Sequence, residues 1–119
     1  TMKKITCVVV PIGQKPYAKE IDNDNNAIQE LVGGYYEILR LSSRLLLLCD
    51  EEAKLKGIRG NRRIGRKIIA GQFIIVGDCG GDYASLDKYE VAAMIGRFST
   101  PEDISPEETE DSCQITVVD

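Results

Sequence analysis

The first 22 residues read as strands, a β-branched run followed by a short alternating one. "KITCVVVP" (4–11) is β-branched and predicts a strand that Pro11 ends. "IGQKP" reads as a turn, and "YAKEI" (17–21) as a second short strand, the hairpin partner of the first. The period then lengthens. In "DNDNNAIQELVGG", Ala27, Ile28, Leu31 and Val32 share one helical face, Asp and Asn residues offer N-caps, and Gly33 stops the helix. "YYEILRL" (35–41) and "LLLLC" (45–49), joined by "SSR", predict a second hairpin. "DEEAKLKG" (50–57) predicts one or two helical turns with Asp50 as N-cap and Gly57 as stop. The basic stretch that follows is expected to be a connection. "KIIAGQFIIVG" (67–77) predicts one central strand with Gly71 as a bulge, and "DCGGDYA" a loop. Ser85 is the expected N-cap of a helix from 86 to 98, whose apolar positions include Leu86, Val91, Met94, Ile95 and Phe98.

These elements make an α+β fold: a mostly antiparallel sheet with two main helices packed on it. The composition changes at Ser99. "STPEDISPEETEDS" (99–112) holds six acids and two prolines and predicts an acidic linker. "CQITVVD" regains strand character and could add to a sheet edge, in its own subunit or a neighbour's, so a homo-oligomer is expected. The organisation expected is a single α+β domain over 1–98 and an acidic linker with a strand-like segment over 99–119.

A chain of 119 residues with 43% hydrophobic residues suffices for one domain with a sizeable core. The longest apolar run, Leu45 to Cys49, is far short of the roughly 20 residues of a membrane span, so a soluble, cytoplasmic protein is expected. The four cysteines, Cys7, Cys49, Cys79 and Cys113, lack metal-ligand spacing, and there is no histidine. Ser-His and Cys-His catalysis are thereby excluded. No catalytic residue, metal or cofactor is expected.

Charge then changes the picture. "KLKGIRGNRRIGRK" (54–67) gathers seven of the fifteen Lys and Arg residues of a chain whose net charge is −4. Its glycines break it into turns that bring backbone N–H groups close to a ligand, and guanidinium groups hold phosphate or carboxylate in two-point fashion. Arg59, Asn61, Arg62, Arg63, Arg66 and Lys67 are therefore candidate ligand-binding residues. The plainer alternative is a solvated loop whose arginines pair with Asp50, Glu51, Glu52 or the acidic tail. For Asn61 the plainer structural role, capping a turn or adopting φ > 0, outweighs ligand contact. In "GGYY", Tyr35 and Tyr36 point to opposite faces of a strand, so one belongs to the core and the other could stack on a base or pack at an interface. Tyr36 joins the ligand-binding candidates. Asp78 and Asp82 flank two glycines and could hold a divalent cation, but the loop lacks a closing glutamate and ordinary turn chemistry explains it better.

Three stretches in this order, "LVGGYYEILRL", "CDEEAKLKGIRGNRR" and "IIAGQFIIVGDCGGDYASL", carry a resemblance. Over residues 4–98 the chain resembles the family called domain of unknown function 3846, small proteins common in phages and bacterial mobile elements. The resemblance implies a small α+β domain and a phage or mobile-element setting, hence the host cytoplasm. It implies no activity. Basic stretch and setting together lead to the expectation of a non-enzymatic accessory protein that binds an anionic, nucleotide-type ligand, in the manner of proteins that sequester a host defence signal. The alternatives are a protein-binding inhibitor of a host enzyme and a nucleic-acid binder. The net charge of −4 and 6% aromatic residues disfavour the last.

Overall fold

The computed structural model describes residues 3–109. Its strands and helices run β1 (Lys4–Val10), β2 (Tyr17–Asp22), α1 (Asn25–Val32), β3 (Tyr36–Arg40), β4 (Leu45–Asp50), β5 (Gly60–Ile64), β6 (Lys67–Ala70), β7 (Phe73–Cys79), β8 (Asp82–Ala84) and α2 (Lys88–Arg97). The main sheet has the order β2-β1-β7-β4-β3 with β8 paired to β7, and β5 and β6 form a separate two-stranded sheet. Every pairing is antiparallel. The fold is α+β, as the periodicities predict.

The two faces of the sheet bury different residues because strand side chains alternate. One face carries Ile5, Cys7, Val9, Leu46, Leu48, Ile74 and Val76 under α1, which contributes Ile28 and Val32. The opposite face carries Val8, Val10, Leu47, Phe73 and Ile75 under α2, which contributes Met94, followed by Phe98. Phe73 and Phe98 meet edge to face at 5.3 Å. The β5–β6 hairpin lies on this second face, packing through Ile69 and Ile64. Asp24 caps α1 through Ala27 N–H, and Gly33 closes it in the left-handed region.

Several local expectations are corrected. The stretch 67–77 is two strands in two sheets, because Gly71 takes φ +82 and turns the chain sharply after β6. The segment from Asp78 to Ala84 is a tight hairpin, with Cys79 opposite Asp82 across Gly80–Gly81. The N-cap of α2 is Asp87, not Ser85. Asp87 and Glu90 form a reciprocal capping box, and the Ser85 hydroxyl instead accepts from Thr6 N–H at 2.9 Å. Asp50 does cap the turn that follows it, accepting from Glu52 N–H at 2.9 Å, but no α-helix develops over 50–57. Where composition predicts a free linker from 99, the chain as far as Thr109 packs on the β5–β6 hairpin, with Ile104 only 2% exposed. The strand-like "CQITVVD" lies outside the described residues.

Candidate functional site

The basic stretch folds into the β5–β6 hairpin, whose two-residue turn is Gly65–Arg66 between the paired Ile64 and Lys67. Gly65 has φ +60 and Arg66 does not have positive φ, the pattern of a type II′ turn. At the other end the register slips. Gly60 pairs with Ala70 but Arg62 pairs with Ile69, so Asn61 is the extra residue of a β-bulge. In an unbroken strand Asn61 and Arg62 would point to opposite faces. The bulge lets both turn inward, and they are 0% and 1% exposed.

These two side chains tie the hairpin to the rest of the molecule. Asn61 Nδ2 donates to Val10 O and to Gly71 O, both at 2.9 Å. Arg62 Nε donates to Phe98 O at 3.2 Å. Its Nη1 donates to Asn61 O at 3.1 Å and Asn61 Oδ1 at 2.6 Å, and its Nη2 to Gln14 O at 2.7 Å and Phe98 O at 3.0 Å. A guanidinium has five N–H groups, and these five bonds use them all. Burial pushes the Arg62 pKa down, opposed by the charge of Glu102. Asn61 and Arg62 thus join β1, the loop after it, β7's entry and the end of α2, and their donors all point at the chain's own carbonyls.

Arg63 points the other way and is 39% exposed. Its Nη1 lies 2.6 Å from Glu102 Oε1 and its Nη2 2.6 Å from Glu108 Oε2. Its backbone N–H donates to Glu102 Oε2 at 3.1 Å. Three donors of one residue therefore converge on carboxylate oxygens. The Arg63 pKa is raised by Glu108 and then by Glu102, and Glu108 is held below the usual carboxylate range by Arg63. A helical turn that begins at residue 106 presents Glu108, whose backbone N–H donates to Ser105 Oγ at 3.1 Å. Nearby, Arg59 lies 3.7 Å from the exposed Asp103. Gly60 makes this packing possible: a Cβ there would meet Thr109 Oγ1 at 2.9 Å and Ile104 Cγ2 at 3.0 Å.

The remaining candidates are dispersed. Lys67 sits 3.6 Å from Glu37 at the tip end of the hairpin. Arg66, in the turn, has no ionic partner among the described residues. Tyr36 packs with the core face under α1, and its hydroxyl donates to Asn25 Oδ1 at 2.7 Å. It is therefore on the opposite side of the sheet from the hairpin. The structure brings together Arg59 and Arg63 along the acidic segment, and it adds Glu102, Glu108 and Ser105. The signal for Ser105 and Glu108 was in "SPEE": Ser105, Pro106 and Glu108 have the spacing of a capping box with proline in the first turn. Among the described residues no cluster of three or more His, Cys, Asp or Glu could hold a metal ion. Asp78 pairs with Arg40 at 2.7 Å.

The family model described as Domain of unknown function (DUF3846) matches residues 3–99. The chain belongs to this family. The match takes in both main helices and every strand of the two sheets, and it stops where the acidic segment starts to cross the hairpin. No curated protein and no solved structure matches the chain. Within the DUF3846 boundary lie Arg59, Asn61, Arg62 and Arg63, whereas Glu102 and Glu108 lie beyond it.

Proposed function

We propose that this DUF3846 protein is a binding protein for a nucleotide-type anion, and that the ligand's phosphate groups are received at Arg63. The observation that supports this most is the Arg63 fork. Its two terminal nitrogens and its backbone N–H hold three carboxylate oxygens of Glu102 and Glu108. Those oxygens occupy the places that phosphate oxygens would take, since Arg binds carboxylate and phosphate with the same planar geometry. Arg59 stands on the same strip, bound to Asp103 only across 3.7 Å, and adds positive charge for a second phosphate. Binding then exchanges one set of anionic oxygens for another, with the acidic segment moving off the hairpin. Sequestering a nucleotide signal in a host cell is the role such binding would serve in a phage or mobile element.

Native mass spectrometry of the purified protein with a panel of nucleoside mono-, di- and triphosphates and cyclic dinucleotides tests the proposal. A retained adduct in the wild type that disappears in Arg63→Ala is the expected result. No adduct with any member of the panel, or one that survives Arg63→Ala unchanged, refutes it.

A further inference from the structure

Among the described residues the strand order of the main sheet ends in β2 and β3, and the backbone pairing fixes which groups each directs away from its neighbour. In an antiparallel pair, alternate residues bond to the neighbour and the others point their N–H and C=O away. Leu41 N–H donates to Leu45 O and Glu51 N–H to Tyr35 O, so the odd-numbered residues of β3 face β4. Tyr36, Ile38 and Arg40 therefore direct their backbone groups outward. On the far edge, Asn23 N–H donates to Lys3 O, so Ala18, Glu20 and Asp22 face outward from β2.

The two edges differ in what accompanies those groups. A symmetric pairing of β2 with a second copy, centred on Glu20, sets two carboxylates against each other, which is the usual defence of an edge strand. β3 has no such defence at its centre. Ile38 stands there with 53% of its surface exposed, and Tyr35 at the strand's start is 70% exposed. The charges of β3 are already paired within the chain, Glu37 with Lys67 and Arg40 with Asp78.

We infer that β3 is a self-pairing edge, and that two copies of this chain join it antiparallel across a two-fold axis at Ile38 to form one continuous sheet. The register follows from the outward groups. Centred on Ile38, the pairs are Tyr36 with Arg40 of the other copy, Ile38 with Ile38, and Arg40 with Tyr36, so every outward N–H and C=O of β3 is used. No like charges are opposed. Ile38 covers Ile38, each Tyr36 ring lies beside the stem of an Arg40, and Tyr35 falls opposite Leu41. Centring on Glu37 would set two carboxylates face to face, and centring on Leu39 would run β3 past the Ser42 turn. The inference stands independently of any ligand at Arg63, which lies on the separate hairpin.

Sedimentation velocity measures the mass directly. The wild type should sediment at twice the 13.2 kDa chain mass, and Ile38→Lys, which places two ammonium groups on the axis, should sediment as a folded monomer by circular dichroism. A second variant reads the register. Residues facing each other in a bonded pair have Cα atoms about 5.5 Å apart, within disulfide reach. With Cys79 and Cys113 replaced by serine, Ile38→Cys should oxidise to a covalent dimer and Glu20→Cys should not. A monomeric wild type, a dimer that survives Ile38→Lys, or one that survives it and is lost on truncation after Thr109, overturns the inference, as does failure of Ile38→Cys to cross-link.

Discussion

Replacing Arg62 should cost more stability than replacing any other basic residue, although no acidic side chain pairs with it. In Arg62→Met the guanidinium's five hydrogen bonds are lost. Four acceptors then lose a donor inside the protein: Gln14 O, Asn61 O, Asn61 Oδ1 and Phe98 O. A buried acceptor left unsatisfied costs about 1–3 kcal/mol, which at the lower figure is about 4 kcal/mol for the set. Removing the buried charge returns part of its desolvation cost, and Met refills part of the volume. A net loss of about 2–4 kcal/mol is expected, a large share of the roughly 5–15 kcal/mol of a typical domain. Arg62→Lys should recover less than half of it, since three ammonium donors on one atom cannot reach carbonyls that the planar fork meets in three directions. Urea unfolding monitored by circular dichroism measures the change in midpoint at constant slope. Arg63→Ala is the internal comparison: its pairs are exposed, and its loss should stay below about 1 kcal/mol. If Arg62→Met unfolds within that same limit, or if Arg63→Ala costs more, the assignment of Arg62 to structure and Arg63 to the surface is wrong.

Gly60→Ala forces its new methyl against Thr109 and Ile104. It should release the acidic segment, seen as faster amide exchange over 101–109 with β5 and β6 still protected, and unchanged exchange would refute the close packing. Arg44 holds Glu90 with two bonds of 2.8 and 2.9 Å and draws its pKa down to about 2. A depressed carboxylate stabilises the fold above its ordinary value of about 4.3 and loses that contribution as pH falls through the folded value. Wild type should therefore lose more stability than Glu90→Gln between pH 5 and about 2, by roughly 1 kcal/mol given the exposure of Arg44. Equal pH profiles would count against the pair. Burial pushes the Cys7 and Cys49 thiols up to about 11 and 12, whereas Cys79 is exposed. Cys79 should react with a disulfide reagent in the folded protein long before those two, and simultaneous reaction of all three would contradict the burial.

Much of the architecture was legible because periodicity reports burial. The β-branched run before Pro11 and the apolar run at 45–49 are central strands buried on both faces, Ile28 and Val32 share one helical face, and local pattern sufficed for all three. The errors came where a local signal had two readings. Gly71 reads as a bulge or a break, and only the arrival of β6 in a second sheet decides for a break. Ser85 and Asp87 can both cap a helix, and Thr6 takes Ser85. The basic stretch misled for a deeper reason. Seven cations in fourteen residues look like one surface, but a one-residue bulge at Asn61 sends Arg62 inward and leaves Arg63 outside. Neither composition nor spacing carries that register. Tyr36, likewise, is separated from the hairpin by the sheet itself. Glu108 was within reach of sequence reading, since "SPEE" announces a helical turn in what composition makes a linker, whereas nothing local marks Glu102.

Calorimetric titration of ADP and of inorganic pyrophosphate into three proteins tests most directly whether the acidic segment stands where a phosphate ligand binds. The three are the wild type, the double variant Glu102→Gln/Glu108→Gln, and Arg63→Ala. Removing the competing carboxylates should tighten binding at least tenfold, which is about 1.4 kcal/mol, and Arg63→Ala should abolish the heat. Equal affinity in the wild type and the double variant, or binding that Arg63→Ala leaves intact, would contradict an anion site at Arg63.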